Sequence, residues 1–105
     1  MNVSTPLSGL MASQVMFDVA ANNIANGATA GFQPSRVQLG AVAPNNGVAV
    51  TGIAAAGDVP PPGESGTDLA TEAVGLTIAR TLYAANARVL SLEEDTIGVL
   101  FDERA

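Results

Sequence analysis

From Leu69 the chain repeats a large apolar residue every seventh position without a break: Leu69, Leu76, Tyr83, Leu90 and Ile97. No strand, whose side chains alternate with a period of two, accommodates that spacing, whereas an α-helix keeps such residues on one stripe. Asp68 stands just before the run, where its carboxylate can cap the first amides, and Glu72 adds favourable negative charge in the first turn. The sequence therefore predicts a helix over 68–101. Ala73, Ala79 and Ala87 flank the stripe and permit close approach, while Val74, Ile78, Ala85, Val89 and Leu92 make a second side apolar. A helix apolar on more than one face is covered from two directions. In so short a chain the second cover has to come from another molecule.

A partner for this helix lies near the start. Thr5-Pro6 forms a helix opening, with a capping hydroxyl and a proline where a backbone donor would be unpaired anyway. Leu7, Leu10, Gln14, Phe17, Ala21 and Ile24 then follow at alternating three- and four-residue spacings, the seam of a coiled-coil-like helix. Gln14 is a polar residue inside that seam, of the kind that fixes register, and Met11, Val15 and Val19 widen the apolar face. Asn26-Gly27 predicts the stop, since both residues accept the left-handed conformation that closes a last turn. The expected helix over 6–26 is roughly 30 Å long at 1.5 Å per residue. Residues 1–4 offer little to bury and are expected to be mobile.

Between the helices the pattern changes. Arg36-Val37-Gln38-Leu39 and Val48-Ala49-Val50-Thr51 alternate in polarity around a turn at Pro44-Asn45-Asn46-Gly47, which predicts a small β-hairpin within 33–56. Two strands alone are marginal in water, so the hairpin is expected to lean on the helices or a neighbour. Residues 57–67, with Pro60-Pro61-Pro62, read as a stiff extended connector. The expected fold is thus mainly α: two long antiparallel terminal helices, joined by a hairpin and a Pro/Gly-rich connector, in one domain of 105 residues.

Composition narrows the function. Much of the 48% hydrophobic fraction is alanine, and Phe17, Phe32, Tyr83 and Phe101 are the four aromatics. A deep core is not to be expected, and chains this small often gain stability by oligomerising. A net charge of −6, with four arginines and no lysine, disfavours nucleic acid and anionic lipid as partners. The charge is uneven, for Glu93, Glu94, Asp95, Asp102 and Glu103 crowd the end. Those acids oppose the helix dipole there, so that end is frayed or answered by a partner's positive charge. Consecutive acids on a helix point in different directions, so Glu93-Glu94-Asp95 reads as a solvated end rather than a metal site.

The chain has no cysteine and no histidine, which removes disulfides and thiolate or imidazole zinc sites. Without histidine or lysine nothing activates a serine or tyrosine nucleophile, and no glycine-rich phosphate loop follows a strand. No catalytic role and no cofactor are expected, and a small hydrolase is the weakest alternative. No cationic and apolar leader opens the chain, so a cleaved secretory signal is not expected. No apolar run of about 20 residues is present to span a bilayer; Asn22, Asn23 and Asn26 interrupt the best candidate.

Ser8-Gly9-Leu10, Ala12, Gln14, Asp18-Val19, Ala21-Asn22-Asn23-Ile24-Ala25-Asn26, Thr29 and Gly31-Phe32 resemble the N-terminal signature of bacterial flagellar rod and hook proteins. Asp68-Leu69, Glu72, Ala79, Tyr83 and Ala85-Asn86 are similar to the C-terminal helix motif of the same family. The two stretches cover roughly 60 residues at opposite ends of the chain, in the family's order. The pattern departs in places: Gln33-Pro34 stands where a lysine often follows Gly-Phe, Ala28-Thr29-Ala30 where Asn-Thr-Thr is usual, and Thr81 where an arginine often precedes the tyrosine. With no outer domain of hook size, the resemblance implies a short rod-type subunit.

The resemblance further implies that the terminal helices pair, stack around a narrow axial channel and hold other rod or hook proteins and copies of the same chain. It also implies export by the flagellar type III apparatus and a place in the periplasm-spanning rod of the basal body. The residues expected at subunit interfaces are Leu10, Gln14, Phe17, Asn22, Asn23, Ile24 and Asn26 on the first helix, with Leu76, Tyr83, Asn86, Leu90 and Ile97 on the second. The asparagine amides are expected to bond the backbones or side chains of neighbouring subunits, through Asn86 among them, although Asn22, Asn23 and Asn26 also suit plain helix termination. The alternative in another class is an accessory or adaptor protein that binds the axial structure without polymerising.

Overall fold

A computed structural model describes residues 3–44 and 46–104, without the side chains at positions 103 and 104. Helix α1 spans Ser4–Ala25, strands β1 (Ser35–Ala41) and β2 (Val48–Ala55) form an antiparallel hairpin, and helix α2 spans Leu69–Arg104. The helices are antiparallel: Gly9 of α1 meets Asn86, Ala20 meets Gly75, and Gly27 after α1 meets Leu69. The hairpin leans on α1, and no Cα of α2 comes within 8 Å of a Cα of either strand.

Helix α1 begins earlier than its sequence predicts. Val3 occupies the cap position in a helical conformation with no side-chain cap, so Thr5 does not cap, and Ser4 is already helical rather than part of a loose end. Pro6 falls in the first turn, where its missing N–H costs nothing, and it is buried. The stop falls where expected but by another route. Asn26 has φ −97°, and Gly27 is not left-handed; Asn26 N–H reaches Asn22 O at 3.1 Å and Gly27 N–H reaches Ile24 O at 2.9 Å. A tightened last turn closes the helix in place of the left-handed cap.

The seam of α1 is also turned by one residue. The structure buries Pro6, Gly9, Ala12, Ser13, Ala20 and Asn23, whereas the expected Leu7, Gln14, Phe17 and Ala21 are exposed and Leu10 and Ile24 are half-buried. The buried set keeps the three-and-four spacing, but with the smallest side chains on it. The reason is closeness: at Gly9 a Cβ would stand 2.5 Å from the Asn86 carboxamide. A seam of small residues lets the backbones approach, and large side chains cannot enter it. Ser13 satisfies its buried hydroxyl on the Gly9 carbonyl at 2.6 Å.

In α2 the Asp68 cap is as expected, its Oδ1 accepting from the N–H groups of Ala70 at 3.0 Å and Thr71 at 3.3 Å. Ala79, 1% exposed, is the deepest apolar residue described. With 36 residues against 22, and Gly9 set beside Asn86, α2 runs on past the start of α1. Its last three turns therefore have no described segment of α1 alongside.

The hairpin is longer than the alternating tetrapeptides suggested. It runs from Ser35 opposite Ala55 to Ala41 opposite Val48, with a bulge at Thr51 where the register shifts between Gln38 and Leu39. At the turn the Ala43-Pro44 peptide is cis and Gly47 has φ 101°, while Asn45 lies outside the described residues. The connector is not a straight spacer. It bends at Pro61–Glu64 and pairs with the loop after α1, Gly31 N–H donating to Glu64 O at 2.9 Å and Gly66 N–H to Phe32 O at 2.8 Å.

Candidate assembly surface

The asparagine cluster ends α1 beside the start of β1 and the loop that leads into α2. Asn23 is 0% exposed, the largest side chain fully enclosed in the described chain. Its Nδ2 donates to the Ser35 carbonyl at 2.9 Å and its Oδ1 accepts the Ser35 N–H at 2.9 Å. Its own carbonyl accepts the Thr67 hydroxyl at 2.9 Å, and Ser65 bonds the Asn26 carbonyl at 2.7 Å. One residue on, Arg36 reaches across to Glu72 at 2.6 Å. Glu72 is 2% exposed, so its first-turn position serves this half-buried ion pair as well as the helix dipole. Asn23 therefore joins α1 to β1, and Arg36 joins β1 to α2.

Asn23 is enclosed within its own chain, with its Oδ1 and one of its two Nδ2 hydrogens engaged by Ser35. Asn26 bonds the Asn22 carbonyl at 3.0 Å and accepts from Thr29 at 3.1 Å, local bonds that fit helix termination. Asn22 is exposed. Asn86 lies at the far end of α1, against Gly9, and donates to the Leu82 carbonyl at 2.8 Å. It is remote from the asparagine cluster of its own chain.

The other expected interface residues divide. Gln14, Phe17 and Tyr83 are exposed and share a cleft of about 330 Å³ with Ser13, Asp18 and Ala79. Leu10, Ile24, Leu76, Leu90 and Ile97 are half-buried along their helices. The large side chains left outside are more numerous than those enclosed. On α1 these are Leu7, Met11 (65% exposed) and Phe17. On α2 they are Leu69, Val74, Ile78, Leu82, Tyr83, Val89 and Leu92, then Val99, Leu100 and Phe101 (68% exposed) on the projecting end. The described core holds three alanines, Ala12, Ala20 and Ala79, beside buried Ser13, Asn23 and Glu72.

Sequence reasoning missed Gly9, Ser13, Arg36 and Glu72 as the residues that set the pairing. The signal was present in the three-and-four spacing of Gly9, Ser13, Met16, Ala20 and Asn23, which the neighbouring large residues masked.

The chain is a helical hairpin with a small β-hairpin, and most of its large apolar side chains lie outside its own core. Residues 2–33 match the family model of the flagella basal body rod protein, the family that the asparagine-rich stretch resembles. That family supports a structural role in the flagellar basal body and an association with other axial proteins, and it is a family of structural proteins rather than enzymes. No curated protein matches the chain. Among the described residues, no helix is long and apolar enough to cross a membrane.

Proposed function

We propose that the chain is a subunit of the flagellar basal-body rod that assembles with copies of itself and with other axial proteins through the outer faces of its two helices. The observation that carries this reading is the division of side chains by size. The intramolecular seam uses glycine, alanine and serine, and the large residues Phe17, Val74, Ile78, Val89 and Leu92 face outward. At roughly 25 cal/mol per Å², ~1,000 Å² of newly buried apolar surface per subunit outweighs the ordering of a few side chains. Leu10, Gln14, Phe17, Asn22, Ile24, Tyr83, Leu90 and Ile97 lie in or beside this surface, and Asn23 serves it by holding the hairpin.

The projecting end of α2 favours assembly over the adaptor reading. A module that only docks once has no use for an apolar extension reaching beyond its own partner helix. Export through the flagellar type III apparatus and a place within the periplasm-spanning rod follow from the same reading. A deletion strain tests it: loss of complete rods and of motility is expected, while intact rods in that strain would favour the adaptor.

A further inference from the structure

The hairpin has a chemistry of its own, separate from the helices. The bonds from Ala56 N–H to Pro34 O and from Val42 N–H to Gly47 O, taken with the register, fix which backbone groups face the partner strand. Arg36, Gln38 and Gly40 pair inward, and in an antiparallel ladder the alternate residues then aim their N–H and C=O groups away from it. On β1 these are Ser35, Val37, Leu39 and Ala41; on β2 they are Val48, Val50, Ile53 and Ala55.

Helix α1 already caps one of these positions on each edge. The Asn23 amide takes both groups of Ser35 as a neighbouring strand would, and the Ser8 hydroxyl accepts the Val48 N–H at 3.1 Å. Among the described residues, the helices supply no such partner to the remaining outward positions on either edge. Natural edges are usually guarded by charge or proline. Here neither strand contains proline, and Arg36, the one charged residue in either, is turned to Glu72. From Val37 through Gly57 the chain carries no charged residue at all, in a molecule of net charge −6. That makes the hairpin the place where two like-charged copies can meet without bringing like charges together.

We infer that, within the rod assembly proposed above and resting on that reading, the occupant of each edge is a second copy of this chain. The β1 edge of one subunit pairs with the β2 edge of the next, so that hairpins join into one continuous antiparallel sheet outside the helices. The order β1, β2, β1, β2 keeps every neighbouring pair antiparallel. Because the two edges differ, the contact is head-to-tail and propagates round a ring or helix rather than closing a dimer.

The absence of cysteine makes the test direct. Chains with one cysteine on the β1 edge (Val37→Cys, Leu39→Cys or Ala41→Cys) are co-expressed with chains carrying one on the β2 edge (Val50→Cys, Ile53→Cys or Ala55→Cys). Folding of each is checked by circular dichroism, and isolated basal bodies are oxidised mildly. Opposed residues across an antiparallel pair lie about 4.5–5.5 Å apart at Cα, within the span of a disulfide. The expected result is a disulfide-linked product of two chains for at least one β1-edge with β2-edge mixture. Chains present in basal bodies but uncrosslinked in every such mixture overturn the continuous sheet and leave the rod reading standing. Crosslinks between like edges alone overturn it in favour of a two-fold contact. Absence of the chain from basal bodies overturns both.

Discussion

Asn23 and Ser35 form a closed pair in which one side-chain amide takes both backbone groups of a strand residue, each at 2.9 Å. The two residues stand at the end of α1 and the start of β1, so this pair fixes where the hairpin sits on the helix. Asn23→Ala leaves the Ser35 N–H without its partner in a half-buried site, while the Ser35 carbonyl keeps the bond from Arg36 Nη1 at 3.0 Å. At about 1–3 kcal/mol for a group left unsatisfied, a loss of about 1–3 kcal/mol is expected, read as a lowered urea midpoint. Asn23→Asp keeps an acceptor for the N–H but sets a carboxylate against the carbonyl, and it should fare no better. Accelerated hydrogen exchange at the Ser35 amide would assign the loss to this pair.

The Arg36–Glu72 pair predicts an asymmetry. Glu72 is enclosed, whereas the Arg36 side chain is 43% exposed. Arg36→Ala abandons a buried carboxylate; Glu72→Gln leaves a neutral amide of the same shape and an arginine that water can reach. Truncating the exposed partner should therefore be the more harmful change, by about 1–3 kcal/mol once solvent screening of the pair is allowed for. Equal costs in chemical denaturation would contradict the burial of Glu72.

Gly9 offers a test in which a sign reverses. Alanine is a better helix former by about 1 kcal/mol, yet its Cβ would meet the Asn86 carboxamide at 2.5 Å. Overpacking costs about 1–3 kcal/mol, so Gly9→Ala should lower stability in the native chain. In an Asn86→Ala background the obstacle is gone, and the same substitution should raise it. Non-additivity of this kind, measured by thermal unfolding of the four chains, identifies residues in direct contact.

The outer face of α2 predicts a separation of folding from assembly. Val89 and Leu92 are exposed and take no part in the seam. Val89→Glu and Leu92→Glu should change the stability of the isolated chain by no more than about 0.5 kcal/mol, as surface substitutions do. In the cell they should abolish motility and remove the subunit from purified basal bodies. Full motility with both would place the assembly contact elsewhere.

Much of this architecture is legible in the sequence, and the exceptions have physical causes. The seven-residue repeat from Leu69 to Ile97, the Asp68 cap and the alternation around the hairpin turn each specify an element locally. Which face of α1 meets α2 is not local. Leu7, Gln14 and Phe17 have the spacing of a seam, but so do Gly9, Ser13 and Ala20 one step round the helix. The choice falls to the set that lets the backbones close on Gly75 and Ala79, a property of both helices together. Asn23 is a similar case. Its partner Ser35 is twelve residues on, across a loop whose course no periodicity reports, so its amide could not be told from a surface one.

Assembly through the outer helix faces requires the large side chains of α1 and α2 to be covered by neighbours rather than by their own chain. Cryo-electron microscopy of purified basal bodies, at a resolution that shows side chains, tests this most directly. The account predicts the chain in the rod wall, with Phe17, Val89 and Leu92 each packed against another subunit and Asn23 still bonded to Ser35 of its own chain. Those three side chains facing solvent, or a chain lying on the outside of a completed rod, would contradict it.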